Sequence, residues 1–210
     1  MTSADAQWVH IIDDDSSICD GLSNLLDAVG VHARCYSSAE HFRSLMESSA
    51  SGCILLDARL PGISGPEFQD ELRRSGCEMP IIFMTAHGDM AMVRKVLKAG
   101  AIEFLIKPFQ KEELLQAVKQ AFALDAERRS EKATLENIQV KIDGLTDREK
   151  QVMAMVTAGL LNKQIAAELN LSEIMVKVHR RRVMDGMQAA SLADLVKMCE
   201  QVKFPSWVGS

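Results

Sequence analysis

Five side chains in the sequence could together handle a phosphoryl group: Asp13, Asp14, Asp57, Thr85 and Lys107. Three carboxylates crowded together repel one another unless a cation lies among them, and hard oxygen ligands suit Mg²⁺. A lysine and a hydroxyl group suit an anion on the opposite side of such a site. The set predicts transfer of a phosphoryl group onto a carboxylate. Asp57 would be the nucleophile, while Thr85 and Lys107 would hold the phosphoryl oxygens.

Short apolar runs position these side chains, because each of the five follows or ends one of them. The unbroken run before Asp57, bounded by Pro61 and Gly62, is typical of a central parallel strand buried on both faces. In open parallel sheets the ligand site lies beyond the carboxyl ends of the strands, where the five side chains would meet. The predicted strands are residues 9–12, 31–36, 53–56, 81–85 and 101–106.

Helical patterns alternate with the strands, which predicts a doubly wound (βα)5 fold with a five-stranded parallel sheet. Ser16 is the predicted N-cap of the first helix, and Asp15 is expected at the surface beside it. His10 is expected to be a strand histidine with its hydrogen bonds satisfied. The predicted helices end near Gly30 and Met46 and then span residues 65–75, 88–99 and 112–124.

The last third of the sequence has the pattern of an all-α, four-helix unit with a helix-turn-helix. Thr146 and Glu149 form a capping box at the start of its first helix, which Gly159 stops. Ser172 is the predicted N-cap of the third helix. The other three helices are predicted at residues 162–169, 173–187 and 192–202.

The third of these helices is basic, which suits the DNA major groove because its charges offset phosphate repulsion. Its apolar side, with Ile174, Val183 and part of Val178, is expected to face the core of the unit. The basic cluster consists of Lys177, His179, Arg180, Arg181 and Arg182.

The charge distribution favours two domains with different partners. The chain has 24 Lys/Arg and 29 Asp/Glu; residues 144–210 hold 9 and 7 of them, which leaves 15 and 22 for residues 1–143. Residues 125–143 are rich in charge, poor in large apolar side chains and free of glycine and proline. They predict a largely helical linker. The alternative interpretation is a short coiled contact between domains or between subunits.

The composition also bears on localisation. No apolar run approaches the roughly 20 residues of a membrane helix, and residues 1–7 lack the features of a secretory signal. The five cysteines are odd in number and form no CxxC pair. Free thiols in the cytoplasm are therefore expected.

Four motifs carry a resemblance to a known family. Residues 11–15, 56–65, 85–89 and 107–109 read IIDDD, LDARLPGISG, TAHGD and KPF. In this order they resemble the receiver domain of two-component response regulators, and within it the FixJ-type subgroup, over about residues 7–125. The resemblance implies that Asp57 is the phosphoacceptor and that a sensor histidine kinase is the partner.

The same resemblance implies roles for the other matching positions. Asp13, Asp14, Asp57 and the backbone carbonyl of Arg59 would hold Mg²⁺ or another divalent cation. The remaining implied positions are Thr85 as the switch hydroxyl, Phe104 as the switch aromatic, Lys107 as the family's lysine before a cis bond to Pro108, and His87 where the family tunes phosphoryl lifetime.

A second resemblance covers about residues 142–204. Residues 145–149, 162–166 and 176–179, which read LTDRE, NKQIA and VKVH, resemble the LuxR/NarL-type DNA-binding domain. It implies that Lys177, Val178 and Arg181 approach base edges. Asn162, Lys163, Ser172 and His179 would contact phosphates or hold the turn, and Arg180 and Arg182 complete the candidate DNA-binding set.

Two departures from that pattern concern the basic helix. Met175 stands where the family usually has threonine, so one phosphate hydrogen bond would be missing. Gly186 replaces a larger residue and could end the helix one turn early, since glycine favours the position after a helix.

These observations predict a DNA-binding transcriptional regulator activated by phosphorylation. Residues 1–124 would be the receiver, 125–143 the linker and 144–210 the DNA-binding domain. Activation would produce a homodimer that reads an inverted repeat in promoter DNA, with RNA polymerase as a further partner and no membrane association. The only expected chemistry is self-phosphorylation and autodephosphorylation at Asp57.

Two other functional classes are alternatives. A phosphotransfer enzyme with an aspartyl nucleophile, of the haloacid-dehalogenase-like type, would place a second aspartate two residues after the nucleophile, where this sequence has Arg59. A receiver with a protein-docking output would not need the basic run from His179 to Arg182.

Overall fold

The structure is a computed structural model, in which residues 7–46, 50–86 and 90–207 are described, without the side chains of residues 90 and 91. The chain forms two compact units, Met1–Arg129 and Ser130–Ser210. Within the described residues, no helix combines the length and the apolar character needed to cross a membrane.

The first unit contains a parallel five-stranded sheet with the order β2-β1-β3-β4-β5. This order confirms the predicted doubly wound fold and brings the carboxyl ends of all five strands to one edge. The strands are β1 (Trp8–Ile12), β2 (His32–Tyr36), β3 (Gly52–Asp57), β4 (Ile81–Thr85) and β5 (Glu103–Ile106).

Helices cover both faces of this sheet, so β3 is buried on both sides. Cys53 and Leu55 pack into one hydrophobic cluster, while Ile54 and Leu56 pack into the other. This alternation is the reason for the unbroken apolar run before Asp57. The helices are α1 (Ser16–Asp27), α2 (Ala39–Leu45), α3 (Gly65–Arg74), α4 (Met90–Lys98) and the first part of α5 (Lys111–Asp143).

The N-cap of α1 differs from the prediction. Asp15, not Ser16, has the extended backbone of a cap, and its carboxylate accepts the Ser17 N–H at 2.9 Å. Ser16 is the first helical residue. Both residue types cap helices well, so the sequence alone does not decide between adjacent candidates.

One carboxylate of the predicted linker is buried, although the linker is rich in charged residues. Asp125 is 4% exposed, and its Oδ2 accepts the N–H of Gly52 at 2.9 Å. Arg128 donates to the carbonyl of Glu78, and Arg129 donates to the carbonyl of Ala50. This part of α5 is therefore attached to the amino-terminal edge of the sheet, opposite the strand ends that carry Asp57.

The second unit has its own hydrophobic core, to which the end of α5 contributes Ile138 and Ile142. The predicted capping box is present: Glu149 Oε2 accepts the N–H of Thr146 at 3.0 Å, and Thr146 Oγ1 accepts the N–H of Glu149 at 3.3 Å. The remaining helices are α6 (Asp147–Thr157), α7 (Asn162–Leu169), α8 (Glu173–Met187) and α9 (Leu192–Gln201).

The core-facing side of α8 was predicted incorrectly in one respect. Val183 is buried as expected, but Ile174 is 73% exposed and Val178 is 38% exposed. Val176 and Met187 are buried instead. They lie on the same face as Val183, because α-helical residues 7 and 11 positions apart are nearly aligned.

Gly186 does not shorten α8. The helix continues to Met187, and Gln188 forms the left-handed C-cap with φ of 54°. A Cβ at position 186 would lie 2.7 Å from Cδ2 of Leu145. Glycine at this position therefore allows close packing between α8 and the segment before α6.

Candidate functional site

The carboxyl ends of β1 and β3 bring two of the predicted carboxylates together. Ile12 pairs with Leu56, so Asp13 and Asp57 end neighbouring strands. Asp13 is 2% exposed, and its Oδ1 accepts the N–H of Asp15 at 3.0 Å. Asp57 is partly buried, and its Oδ1 accepts the N–H of Arg59 at 2.7 Å. A backbone N–H thus holds Oδ1 of each carboxylate and leaves Oδ2 available to a side chain, a cation or a phosphodonor.

Lys107 connects these two carboxylates. Its Nζ donates to Asp13 Oδ2 at 2.6 Å and to Asp57 Oδ2 at 2.5 Å. The three side chains are only 15%, 1% and 13% exposed, respectively. The backbone N–H of Lys107 donates to the carbonyl of Thr85 at 2.7 Å, and the bond to Pro108 is cis as predicted.

The electrostatic balance of this cluster is negative, because two carboxylates share one ammonium group. Burial raises the pKa of Asp13, and the hydrogen bonds from Lys107 and from the Asp15 N–H offset this rise only in part. Burial alone would lower the pKa of Lys107, but its bonds to Asp13 and Asp57 outweigh that effect and raise it. Lys107 therefore stays charged, but its single positive charge does not balance both carboxylates. The remaining negative charge favours the binding of a further cation.

Chemically, the donor set fits a hard divalent cation such as Mg²⁺, since its side-chain ligands are carboxylate oxygens with excess negative charge. Asp14 is exposed at the same strand end, and Arg59 forms an isolated bridge with Ser64. Among the described residues, however, no three acidic, histidine or cysteine side chains are gathered closely enough to hold a metal ion. The four-ligand magnesium site stays a prediction.

The predicted switch residues lie on the next two strands. Thr85 ends β4 and is 2% exposed. Phe104 lies in β5 opposite Phe83 and packs, partly buried, against the hydrophobic cluster that contains Val96 of α4. His87 lies outside the described residues. The sheet therefore brings Asp13, Asp57, Thr85 and Lys107 to one edge, whereas the roles assigned to them stay predictions.

In the second unit, some of the predicted DNA-contacting residues hold the helix-turn-helix together. Ser172 Oγ caps α8 by accepting the N–H of Met175 at 3.2 Å. Arg180 donates to Asn162 Oδ1 at 3.0 Å and so ties α8 to the start of α7. His179 is half-buried, and its Nδ1 is enclosed without a hydrogen-bond partner in the described part of the chain.

Other residues of the candidate DNA-binding set point away from the core of the second unit. Lys163 and Lys177 are exposed, and the Arg181 side chain is 86% exposed, 3.8 Å from Asp185. Arg182 lies 4.0 Å from Glu149. The outward side of α8 is consequently cationic, with Ile174 as an exposed residue that sequence reasoning placed in the core.

Both parts of the chain match known protein families. Residues 9–119 match the response regulator receiver domain family, and residues 143–199 match the luxR family of bacterial regulatory proteins. These matches confirm the two resemblances predicted from the motifs.

Individual relatives match along most of their length. The response regulator protein TodT of Pseudomonas putida is 41% identical over 198 residues, which are 94% of this chain and 87% of TodT. The transcriptional regulatory protein FixJ of Azorhizobium caulinodans is 39% identical over 190 residues, 90% of each protein. A solved structure of the response regulator StyR is 42% identical and matches with a TM-score of 0.85, over 93% of this chain and 99% of that one.

Proposed function

We propose that phosphorylation of Asp57 controls the binding of this chain to promoter DNA, because the chain belongs to the response regulators that carry a receiver domain and a LuxR-type DNA-binding domain. In this proposal residues 1–124 are the receiver, 125–143 the helical linker and 144–210 the DNA-binding domain. The relatives TodT and FixJ are named as regulators, which supports a regulatory output.

The observation that carries the proposal is the ammonium group of Lys107, which contacts both Asp13 and Asp57 at the strand ends. An oxygen of Asp57 attacks the phosphorus of a phosphodonor, a new P–O bond forms, and the bond to the donor's leaving group breaks. Lys107 already contacts the reacting carboxylate, so it can follow the charge onto the phosphoryl oxygens without a large movement. Mg²⁺, held by Asp13, Asp14, Asp57 and the Arg59 carbonyl, would neutralise charge on those oxygens.

The switch would follow from the new hydrogen bonds. Charge-assisted bonds from Thr85 and Lys107 to the phosphoryl group contribute roughly 1.5–3 kcal/mol each. Moving a two-state equilibrium from 1:99 to 99:1 requires about 5.5 kcal/mol, so two or three such bonds supply energy of the required size. Phe104, partly buried beside α4, would turn inward and carry the change to a dimerisation surface.

The partners in this proposal follow from the two domains. A sensor histidine kinase or a small phosphodonor supplies the phosphoryl group, and the only other chemistry is autodephosphorylation. Two copies would read an inverted repeat, because a twofold-symmetric dimer matches a palindromic site. RNA polymerase is a further partner, and promoter DNA as the target places the protein in the cytoplasm.

Incubation of the full chain with acetyl phosphate and Mg²⁺ tests the first step. We expect one phosphoryl group per chain, located by mass spectrometry on the peptide that contains Asp57. Addition of EDTA should prevent the incorporation, because the carboxylates would then repel the phosphodonor. Absence of incorporation with Mg²⁺, or a phosphoryl group on a different peptide, would contradict the proposal.

Replacement of Arg181 by alanine should weaken DNA binding by about 5- to 150-fold, since a bidentate base contact is worth roughly 1–3 kcal/mol. Lys177→Ala should act similarly. Binding would be measured by gel shift of the phosphorylated chain over a range of salt concentrations. Lys197→Ala, an exposed lysine of α9, is the matched control. Unchanged affinity and salt dependence in Arg181→Ala and Lys177→Ala would exclude α8 as the DNA-contacting helix.

A further inference from the structure

The outward face of α8 carries an apolar residue where a solvated helix would have a polar one. Ile174 is 73% exposed, more than the other exposed large hydrophobic side chains among the described residues. Val178, one helical turn later, is 38% exposed. Single exposed hydrophobic residues are common, but two in register on a short basic helix form a surface that a binding partner can use.

Helical geometry shows that this pair lies at the centre of the outward face. Each residue turns the helix by about 100°, so Ile174 and Val178 lie roughly 160° and 200° from Val176, which is fully buried. By the same measure Arg181 lies at roughly 140°, between Ile174 and the edge of the face. The two apolar side chains thus form a ridge directly opposite the core, with a cationic side chain beside it.

The orientation of this ridge is fixed by contacts on both sides of it. The Ser172 cap holds the first turn of α8, and the Arg180–Asn162 bond ties the middle of the helix to α7. Buried Val183 and Met187 anchor the rest of the helix in the core. Ile174 is consequently presented outward by a well-held helix.

The surroundings of the ridge indicate the chemistry of its partner. Lys177 and Arg181 lie along one side of it, which disfavours a purely apolar protein surface and favours a polyanion that also exposes apolar groups. The DNA major groove is such a surface, because phosphates line it and the C5-methyl group of thymine projects into it. Isoleucine and valine offer methyl groups for contact but no hydrogen-bonding group for base edges.

We infer that Ile174, together with Val178, reads thymine C5-methyl groups and so gives the operator a preference for thymine at the positions facing the ridge. This inference rests on the proposed function, since it requires α8 to enter the major groove. It adds Ile174 to the residues that determine specificity.

Replacement of thymine by uracil tests the inference, because it removes the methyl group and leaves Watson–Crick pairing unchanged. Duplexes would be selected from random DNA with the full chain treated with acetyl phosphate, and each thymine would then be replaced in turn. At one or more positions we expect binding to fall about fourfold, the amount expected for one buried methyl group.

The same duplexes would be measured with Ile174→Ser. Serine is tolerated in a first helical turn, so the variant should fold. It should bind the thymine and uracil duplexes equally at the sensed position, with an affinity close to that of the wild type for uracil. Ile174→Val should keep part of the preference. Val140→Ser, which changes a 69% exposed valine of α5, should behave as the wild type.

The outcomes separate this inference from the proposed function. The inference would be overturned if Ile174→Ser kept the wild-type preference for thymine at every position, or if the wild type bound the thymine and uracil duplexes with equal affinity. It would also be overturned if Ile174→Ser bound both duplexes more weakly by the same factor, because the preference would then be retained. Failure to select any duplex would overturn the proposed function itself, and the inference with it.

Discussion

A chain with Asp57 replaced by asparagine is expected to fold normally and to accept no phosphoryl group from acetyl phosphate. Removal of a nucleophile commonly costs several orders of magnitude in rate, so incorporation should fall below detection. Asparagine keeps an oxygen that can accept the N–H of Arg59, which Asp57 accepts at 2.7 Å. The free energy of unfolding should therefore change by no more than about 1 kcal/mol.

Mass spectrometry after incubation with acetyl phosphate and Mg²⁺ measures the effect, and urea unfolding measures the stability. Asp70→Asn is the matched control, because Asp70 is an exposed carboxylate on α3 of the same unit. It should incorporate the phosphoryl group as the wild type does. Wild-type incorporation in Asp57→Asn would show that another residue is the acceptor.

The fold was predictable where local patterns leave one solution. The predicted strand 81–85 and the predicted helices 162–169 and 173–187 agree with β4, α7 and α8. Each is delimited by a clear signal, such as Pro80 before β4 and the Ser172 cap before α8. Because the strands are parallel, their polar carboxyl ends then lie at one edge of the sheet. This placement is the reason that sequence reasoning could assemble the candidate site.

The orientation of α8 was harder to predict, because apolar residues lie on more than one side of it. Ile174, Val176 and Val178 alternate at its start, and periodicity alone cannot decide which of them faces the core. Val176 occupies that position, since it shares a face with Val183 and Met187. The exposure of Ile174, on which the proposed contact with thymine rests, became visible only in the structure.

The burial of Asp125 depends on a contact that no local pattern contains. Its partner, Gly52, is 73 residues away in the chain. Gly52 has a φ of +126°, and a Cβ there would lie 1.9 Å from the carbonyl oxygen of Trp8. The glycine is therefore required by the backbone, and its N–H is satisfied by a side chain from α5. The contacts of Lys107 with Asp13 and Asp57 could not be predicted either. The sequence predicts that the three side chains lie at the same edge of the sheet, but not which of them form hydrogen bonds.

Replacement of Lys107 by methionine is expected to lower the free energy of unfolding at pH 7 by about 3–5 kcal/mol, because it leaves a buried carboxylate without its counter-ion. Asp13, whose side chain is 1% exposed, would bear most of this cost. Urea unfolding at pH 7 measures the change. Lys111→Met, which alters an exposed lysine at the start of α5, should have little effect.

The pH dependence of this loss has a definite sign. The pKa of Asp13 is already raised by burial above its ordinary value of 3.8, and removal of Lys107 takes away a bond that lowers it. A group with a raised folded pKa destabilises the fold at pH values above that pKa and stops doing so as the pH falls through it. The Lys107→Met variant should therefore recover relative to the wild type as the pH is lowered from 7 toward 3.8. The wild type keeps the contribution of Lys107 until the pH exceeds 10.5, since the pKa of Lys107 is raised above that value.

A second substitution distinguishes the lost charge pairing from lost packing. Asp13→Asn removes the uncompensated charge, so the double variant with Lys107→Met should regain most of the stability that Lys107→Met loses. If the double variant is as unstable as Lys107→Met, or if the loss stays the same as the pH is lowered from 7 toward 3.8, the lysine acts through packing. The recovery predicted here would instead identify Asp13 as the charge that Lys107 balances. That balance is what the proposed phosphoryl group on Asp57 would disturb, because its oxygens would draw the ammonium group away from Asp13.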